Sequence, residues 1–201
     1  EVIHRVDEWC AGYEERIREL GGIGFFLGGI GPDGHIAFNV QGSDFYSTTR
    51  LCPVNYETQA ASASDLGGIE VARKRLTITI GLSTITYNRN AVAIVLAAGE
   101  AKARIVADAV EKPKSIMRPA SALQELKNAA FYLTRGAAKH LRKRRIEYLN
   151  SLDEIPPAEQ EQIVVDTALK TGTSLTELTE QQLKGDDFGQ ILLKKVKRNV
   201  S

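Results

Sequence analysis

The sequence has little of what marks disulfide-rich, metal-binding and membrane-spanning proteins. Its 201 residues include only two cysteines and three histidines. Cys10 and Cys52 have neither the spacing of a metal site nor the number that a disulfide framework needs, which favours a reducing compartment. No apolar run is long enough to cross a bilayer, and the sequence shows no signal-peptide pattern. We therefore expect a globular protein of the cytoplasm.

The charge of the chain is nearly balanced. With 26 basic and 25 acidic residues, the formal net charge is +1, so no overall field points to a nucleic acid or a membrane as partner. Hydrophobic residues make up 43% and charged residues 25% of the chain, as in ordinary globular proteins, and the length predicts one domain with an appendage. Because Glu1 already lies inside a helical pattern, we expect a fragment of a longer chain.

Helix and strand patterns alternate along the first three quarters of the chain. Residues 1–20 predict an amphipathic helix that ends at Gly21 and Gly22. The apolar face of this helix comprises Val2, Val6, Trp9, Tyr13, Ile17 and Leu20. Strands are predicted over 23–27, 49–54, 76–80, 91–97 and 129–133, and helices over 56–64, after Gly81, and over 100–110, 120–126 and 136–149. The nearly continuous apolar run 91–97 predicts a parallel strand that is buried on both faces. The alternation predicts an α/β domain with a largely parallel sheet.

The character of the sequence changes after Leu152. Pro156 and Pro157 mark a boundary, and the residues beyond them are helix-prone and rich in Gln and Glu. We therefore predict an α/β domain over 1–152 and a helical extension or linker over 153–201. The basic run 142–145 is expected to lie on a solvated helix surface.

One stretch concentrates the chemistry. The apolar run 23–27 leads into a glycine-rich turn that carries Asp33 and His35. Glycines allow close approach of another group, and open α/β sheets bind ligands in loops at the carboxyl ends of their strands. A carboxylate beside an imidazole fixes its tautomer and prepares it for proton transfer. The alternative is a tight turn with a surface Asp and a hydrogen-bonded His, but the glycines and the preceding strand favour a site.

A second candidate site lies at residues 97–102. A strand ends there, Gly99 turns the chain, and a helix begins. The free N–H groups and the dipole of a helix N-terminus attract anions. Lys102 lies in the first turn, where a cation is unfavourable unless an anion is bound. Because both candidate sites follow strands of one predicted parallel sheet, we expect Lys102 to lie beside the loop with Asp33 and His35. The alternative is an ordinary surface lysine.

The stretch from Gly28 to Asn39, Gly-Gly-Ile-Gly-Pro-Asp-Gly-His-Ile-Ala-Phe-Asn, resembles the signature of glucosamine-6-phosphate deaminases, also called isomerases. The related 6-phosphogluconolactonases share the Asp-Gly-His core but usually continue differently. The resemblance runs from about Val6 to about Leu149. Supporting positions are Ser43, Thr49, Arg50, the run 76–84 and the run 99–102.

The resemblance implies a Rossmann-like, largely parallel sheet flanked by helices, as in the deaminase, ribose-phosphate isomerase and CoA-transferase folds. It implies that glucosamine 6-phosphate and water become fructose 6-phosphate and ammonia, with no metal or organic cofactor. His35 would open the pyranose ring, and Asp33 would orient His35. The resemblance assigns binding of the phosphorylated amino sugar to Lys102, Gly99, Gly31 and Gly34. A homo-oligomer is left open.

The sequence departs from the family pattern at two positions near the expected substrate. Val40 replaces a glutamate that supports the histidine, and Ser64 replaces a phosphate-binding arginine for which Arg73 or Arg75 could substitute. These departures favour an alternative function, a non-catalytic sugar-phosphate sensor on the same fold. A third reading is a related phosphosugar enzyme such as a 6-phosphogluconolactonase.

The resemblance also implies an effector site and an upstream part of the active site. Ser43 and Arg50 match positions that bind an effector phosphate in some members, but the family lysine two residues beyond that arginine is Cys52 here. A Ser/Thr-Gly phosphate loop and a proton-shuttling aspartate, which the family carries upstream of the Asp-Gly-His loop, are not in this sequence. We therefore expect the 201 residues to hold about half of an active site.

Overall fold

A computed structural model describes residues 1–53, 56–61, 63–64, 67–74 and 76–199. The chain forms two compact units, Glu1–Leu141 and Arg142–Ser201. The division between these units, after Leu141, falls inside the helix that was predicted over 136–149. The domain boundary after Leu152 stays a prediction.

The first unit has the α/β architecture that the sequence predicted. Its elements are α1 (Val2–Glu19), β1 (Phe25–Gly29), β2 (Arg50–Pro53), α2 (Tyr56–Ala61), α3 (Ile69–Ala72), β3 (Leu76–Thr79), α4 (Leu82–Thr86), β4 (Val92–Ala97), α5 (Ala103–Glu111) and β5 (Asn128–Leu133). Two 3-10 helices, Glu100–Lys102 and Pro119–Glu125, precede α5 and β5. The fold class is confirmed, and most predicted elements lie within a few residues of their observed bounds.

The main sheet is parallel, with the strand order β1-β4-β5. Phe25 pairs with Val92, and Val92 pairs in turn with Asn128. Strands β2 and β3 form a separate antiparallel pair, so these two predicted strands do not join the parallel sheet. Because β1 and β4 are adjacent parallel strands, their carboxyl ends are neighbours, and the loops that follow them lie close together.

The prediction that β4 is buried on both faces is wrong. Ala93, Val95 and Ala97 are buried in the core, whereas Val92 and Leu96, on the opposite face, are exposed. Helices α4 and α5 contribute to this core, in which Leu82, Ile85, Val106 and Ala109 are buried. The apolar run predicted the strand correctly but could not show that only one face is covered by described residues.

Helix α1 forms as predicted, but its expected apolar face is not the buried one. Val2, Trp9 and Tyr13 are exposed, and the side chains that α1 buries are Cys10 and Glu14. The helix is positioned by polar bonds: Glu14 Oε1 accepts from the N–H and hydroxyl of Thr49 at 2.8 and 2.6 Å and from the hydroxyl of Thr84 at 2.5 Å. Periodicity detects apolar faces, and it therefore missed a face that is anchored by a carboxylate.

Gly21 and Gly22 end α1 as predicted. Both have positive φ, 85° and 88°, a region that glycine enters without the steric cost of a side chain. The N–H of Gly22 donates to the carbonyl of Ile17 and that of Gly21 to Arg18, each at 2.9 Å. These bonds satisfy the last carbonyls of the helix and turn the chain toward β1.

The second unit is helical, as predicted for the C-terminal extension. It contains α6 (Arg142–Ser151), α7 (Pro157–Thr171), α8 (Glu180–Lys184) and α9 (Asp187–Asn199). Its core comprises Leu149, Ile155, Ile163 and Leu192. Helix α6 begins six residues later than the helix predicted from residue 136.

The basic run of α6 is only partly a solvated surface. Arg145 is buried, forms ion pairs with Glu159 and Asp166, and lies over the ring of Phe188. The acidic partners lie 14 and 21 residues further along the chain, so the run itself gave no sign of the burial. Among the described residues, no helix is both long enough and apolar enough to cross a membrane.

Candidate active site

The loop after β1 is a compact turn held by its own backbone. The N–H of Gly31 donates to the carbonyl of His35 at 2.9 Å, and the N–H of Gly34 donates to the carbonyl of Gly31 at 3.1 Å. Gly34 has a φ of 84°, which a residue with a side chain rarely adopts. The N–H of Ala120 donates to the Gly34 carbonyl at 3.0 Å and ties the loop to the rest of the unit.

The loop brings Asp33 and His35 into direct contact. His35 Nδ1 lies 2.5 Å from Asp33 Oδ1, and the two side chains are only 12% and 10% exposed. With Nδ1–H donating to the carboxylate, Nε2 is the ring nitrogen that can exchange a proton with a ligand. The imidazole lies against the α-carbon of Gly31, where an added β-carbon would be 2.0 Å from His35 Cε1. Only glycine leaves room for the ring at this position.

Lys102 reaches this site from the 3-10 helix that follows β4, the neighbour of β1 in the sheet. Its ammonium donates to the carbonyl of Ile30, in the loop after β1, at 2.9 Å. Burial lowers the pKa of Lys102, and the nearby charge of Asp33 opposes that shift. The prediction that Lys102 lies beside the Asp33–His35 loop is confirmed. Because β1 and β4 are parallel neighbours, the two loops leave the sheet at the same edge.

The turn at Gly99 is tied to the loop after β5. Gly99 has a φ of 86°, and its N–H donates to the hydroxyl of Thr134 at 3.2 Å. This bond occupies one of the N–H groups that were predicted to be free to bind an anion. Glu100 pairs with Lys139 at 2.6 Å, and the hydrogen bond from Lys139 lowers the pKa of Glu100. Sequence reasoning missed Thr134 and Lys139, because their relation to Gly99 depends on the pairing of β4 with β5.

A pocket of about 420 Å³ opens beside His35. It is lined by Phe26, Leu27, Gly28, Gly29, Ile30, Gly31, His35 and Ala37. All of these residues belong to β1 or to the loop that follows it. Ala37 has a φ of 50°, an uncommon value for a residue with a side chain, because it brings steric strain to the backbone. The pocket therefore has walls from one strand and its loop.

Ser43 and Arg50, which match effector-phosphate positions in some members of the family, do lie together. The guanidinium of Arg50 donates to the hydroxyl of Ser43 at 3.3 Å and to Asn39 Oδ1 at 2.9 Å. The wholly buried carboxamide of Asn39 also donates to the carbonyls of Ile36 and Ile80, at 3.1 and 2.9 Å. Asn39 thus links the loop after β1 to Arg50, a role that its place at the end of the signature did not reveal.

The two departures from the family pattern lie in different surroundings. Val40 is half-buried, directly after Asn39, whereas Ser64 is exposed. Arg73, one suggested substitute for the missing arginine, is exposed and pairs with Glu70 at 3.2 Å. Arg75, the other suggested substitute, lies outside the described residues.

No family model matches the chain, but curated relatives and one solved structure share a family name. Over 144 residues the chain is 38% identical to the glucosamine-6-phosphate deaminase of Borreliella burgdorferi, a match that covers 72% of this chain and 53% of that protein. It is 37% identical over 143 residues to the enzyme of that name from Caenorhabditis elegans, covering 71% and 53%. A solved monomeric glucosamine-6-phosphate deaminase superposes with a TM-score of 0.61 at 33% identity, covering 68% of this chain and 55% of the other. The chain thus spans about half the length of the relatives it matches.

Proposed function

We propose that this chain, which over its matched residues belongs to the glucosamine-6-phosphate deaminase family, supplies the ring-opening and phosphate-binding half of such an enzyme. The reaction would convert glucosamine 6-phosphate and water into fructose 6-phosphate and ammonia. The observation that carries the proposal is the 2.5 Å contact of Asp33 and His35 beside the ammonium of Lys102. An acid/base group and a cation at one sheet edge suit a phosphorylated sugar.

His35 would open the pyranose ring. Its Nε2 would take the proton of the anomeric hydroxyl and pass it to the ring oxygen, so that the C1–O5 bond breaks and an open-chain aldehyde forms. Asp33 would hold the ring through Nδ1–H and stabilise the charged imidazolium. The pair is nearly buried, so this hydrogen bond is little weakened by water.

Lys102 would bind the phosphate. A partly desolvated ammonium attracts a dianion more strongly than a fully hydrated one does. Its present acceptor, the carbonyl of Ile30, is neutral, and an anion is the stronger acceptor. The proton transfer from C2 to C1, and the hydrolysis of the resulting C2 imine that releases ammonia, need a further base, which we assign to the part of the relatives outside the match.

The second candidate function, a sugar-phosphate sensor, is favoured by Val40. An apolar side chain at this position cannot support a charged histidine as a glutamate would. A sensor would keep binding through Lys102 but would not need proton transfer by His35.

Binding by the 201-residue chain tests the phosphate site. We expect glucosamine 6-phosphate to shift the NMR signals of His35 and of the residues around Gly99. Lys102→Ala should weaken affinity by about 10- to 100-fold, the equivalent of one charge-assisted hydrogen bond. Lys127→Ala, which removes an exposed lysine of the same unit, is the matched control. Equal affinity in the Lys102→Ala and Lys127→Ala variants would remove Lys102 from the site.

Turnover distinguishes the enzyme from the sensor. We expect no ammonia release by the 201 residues alone. When the chain is joined to the part of the Borreliella burgdorferi relative outside the match, ammonia release should appear and His35→Gln should abolish it. If the joined protein binds the sugar phosphate but releases no ammonia, the sensor hypothesis is favoured. Ammonia release that His35→Gln leaves unchanged would instead remove His35 from the reaction.

A further inference from the structure

One face of the parallel sheet is apolar and open. The register places Phe25 and Leu27 of β1, Val92 and Leu96 of β4, and Tyr132 of β5 on the same side. Phe25, Leu27, Leu96 and Tyr132 are 59%, 57%, 52% and 61% exposed. Parallel sheets occur almost only with both faces covered, and contiguous apolar surface of this kind marks an interaction site.

The winding of the chain explains why this face is open. The path from β1 to β4 to β5 advances across the sheet in one direction, and parallel crossovers are right-handed. Connecting helices of such a path all come to lie on one face, and α4 and α5 accordingly belong to the core beside Ala93, Val95 and Ala97. The opposite face can be covered by helices of a segment that winds in the other direction from β1.

β1 offers the place where such a segment would start. It is an edge strand of the described sheet, so one side of its backbone can pair with a further parallel strand. In doubly wound folds the two directions of winding meet at one strand, and the ligand crevice lies at its carboxyl end. The carboxyl end of β1 carries the Asp33–His35 loop and a pocket with walls from β1 and that loop alone.

We propose that the open face and the free edge of β1 are the docking surface of a second α/β segment, equivalent to the part of the relatives outside the match. This segment would add parallel strands beyond β1 and place its helices over Leu27, Leu96 and their neighbours. The unmatched part is large enough, because the match covers only 53–55% of the related proteins. Docking would make β1 the switch point of the completed sheet and close the second wall of the pocket.

Cysteine labelling measures whether the face is covered. The natural cysteines, Cys10 and Cys52, are buried, so a single Leu27→Cys or Leu96→Cys substitution provides a selective site for a maleimide. Both leucines are exposed, so the substitutions should leave the fold of the chain intact. In the 201-residue chain we expect fast labelling. In the chain joined to the outside part of the Borreliella burgdorferi relative, labelling should slow by about tenfold or more.

Leu169→Cys, in the second unit, is the matched control, because Leu169 is also exposed and should be labelled at the same rate in both forms. Co-expression of the chain with the relative's outside part as a separate polypeptide provides a second form for the same measurement. Unchanged labelling of Leu27→Cys in the joined and the co-expressed forms would overturn the proposal. Slow, concentration-dependent labelling in the chain alone, with a dimer in light scattering, would instead assign the face to a second copy and would also overturn it. The experiment measures labelling and not turnover. The docking proposal can therefore be tested even if the proposed reaction is wrong.

Discussion

The most local test of the site is the substitution of Gly31 by alanine. A β-carbon there would lie 2.0 Å from His35 Cε1 and 2.2 Å from Nδ1, far inside the 3.0 Å that real β-carbons respect. Gly31 does not have a positive φ, so alanine is compatible with its backbone. The strain therefore falls on the imidazole, which is a side chain that can rotate away. We expect the loop to fold and the ring to be displaced.

The displacement fixes the size of the effect. The ring must move by about 1 Å, which stretches the 2.5 Å contact with Asp33 to the limit of a hydrogen bond. A hydrogen bond to a charged group is worth about 1.5–3 kcal/mol. If that bond orients the acid in ring opening, its loss corresponds to about 10- to 100-fold in rate. The free energy of unfolding should fall by no more than the same 1.5–3 kcal/mol.

Gly29→Ala is the matched control, since a β-carbon at Gly29 meets nothing closer than the Leu96 carbonyl at 3.8 Å. The His35 ring signals in NMR should shift in Gly31→Ala and stay in place in Gly29→Ala. Thermal unfolding measures the cost to the fold, and ammonia release by the joined protein measures the cost to activity. Unmoved His35 signals in Gly31→Ala would refute the reasoning, because the contact that makes glycine necessary would then not exist.

Glu14→Ala should lower the free energy of unfolding by about 3 kcal/mol, since three hydrogen bonds are lost inside the protein; a loss below about 1 kcal/mol in urea titration would contradict this. Lys139→Gln should weaken phosphate binding about threefold, because Glu100 would no longer be neutralised, and adding Glu100→Gln should restore it in calorimetry. Val40→Glu should raise turnover of the joined protein about tenfold, and equal steady-state rates would show that Val40 is no defect. Because burial lowers the pKa of Lys102 from its usual 10.5, phosphate affinity should be lost, as the pH rises, at a lower pH than it would be with an exposed lysine.

The sequence was informative where structure depends on neighbours along the chain. The turn after β1 could be predicted because its internal backbone bonds join residues only three or four apart, as between Gly31 and His35. The pairing of Asp33 with His35 needs only one intervening residue, Gly34, and a turn that glycines permit. Lys102 was placed correctly by one further rule, that parallel strands present their carboxyl ends at the same edge.

The sequence was misleading where burial depends on distant partners. In α1 the apolar stripe with Trp9 and Tyr13 faces solvent, and the helix is held by Glu14, whose partners lie 35 and 70 residues away. The apolar run of β4 was the same kind of case, since hydrophobicity shows what can be buried and not what covers it. Lys139 and Thr134 were missed for the same reason, because the sheet brings them to Gly99.

The loop with Asp33 and His35 is held by bonds within the first unit, to its own backbone and to Ala120. The Asp33–His35 pair is therefore organised before any further segment docks, and so is the ammonium of Lys102 against Ile30. The opposite wall of the pocket and the base for the C2 proton are not supplied by β1 and its loop. Binding and turnover should for this reason separate: the 201 residues should recognise a sugar phosphate, and only the docked, doubly wound sheet should convert it. A joined protein that gains turnover without any protection of Leu27 would break this link between the winding of the sheet and the chemistry at the end of β1.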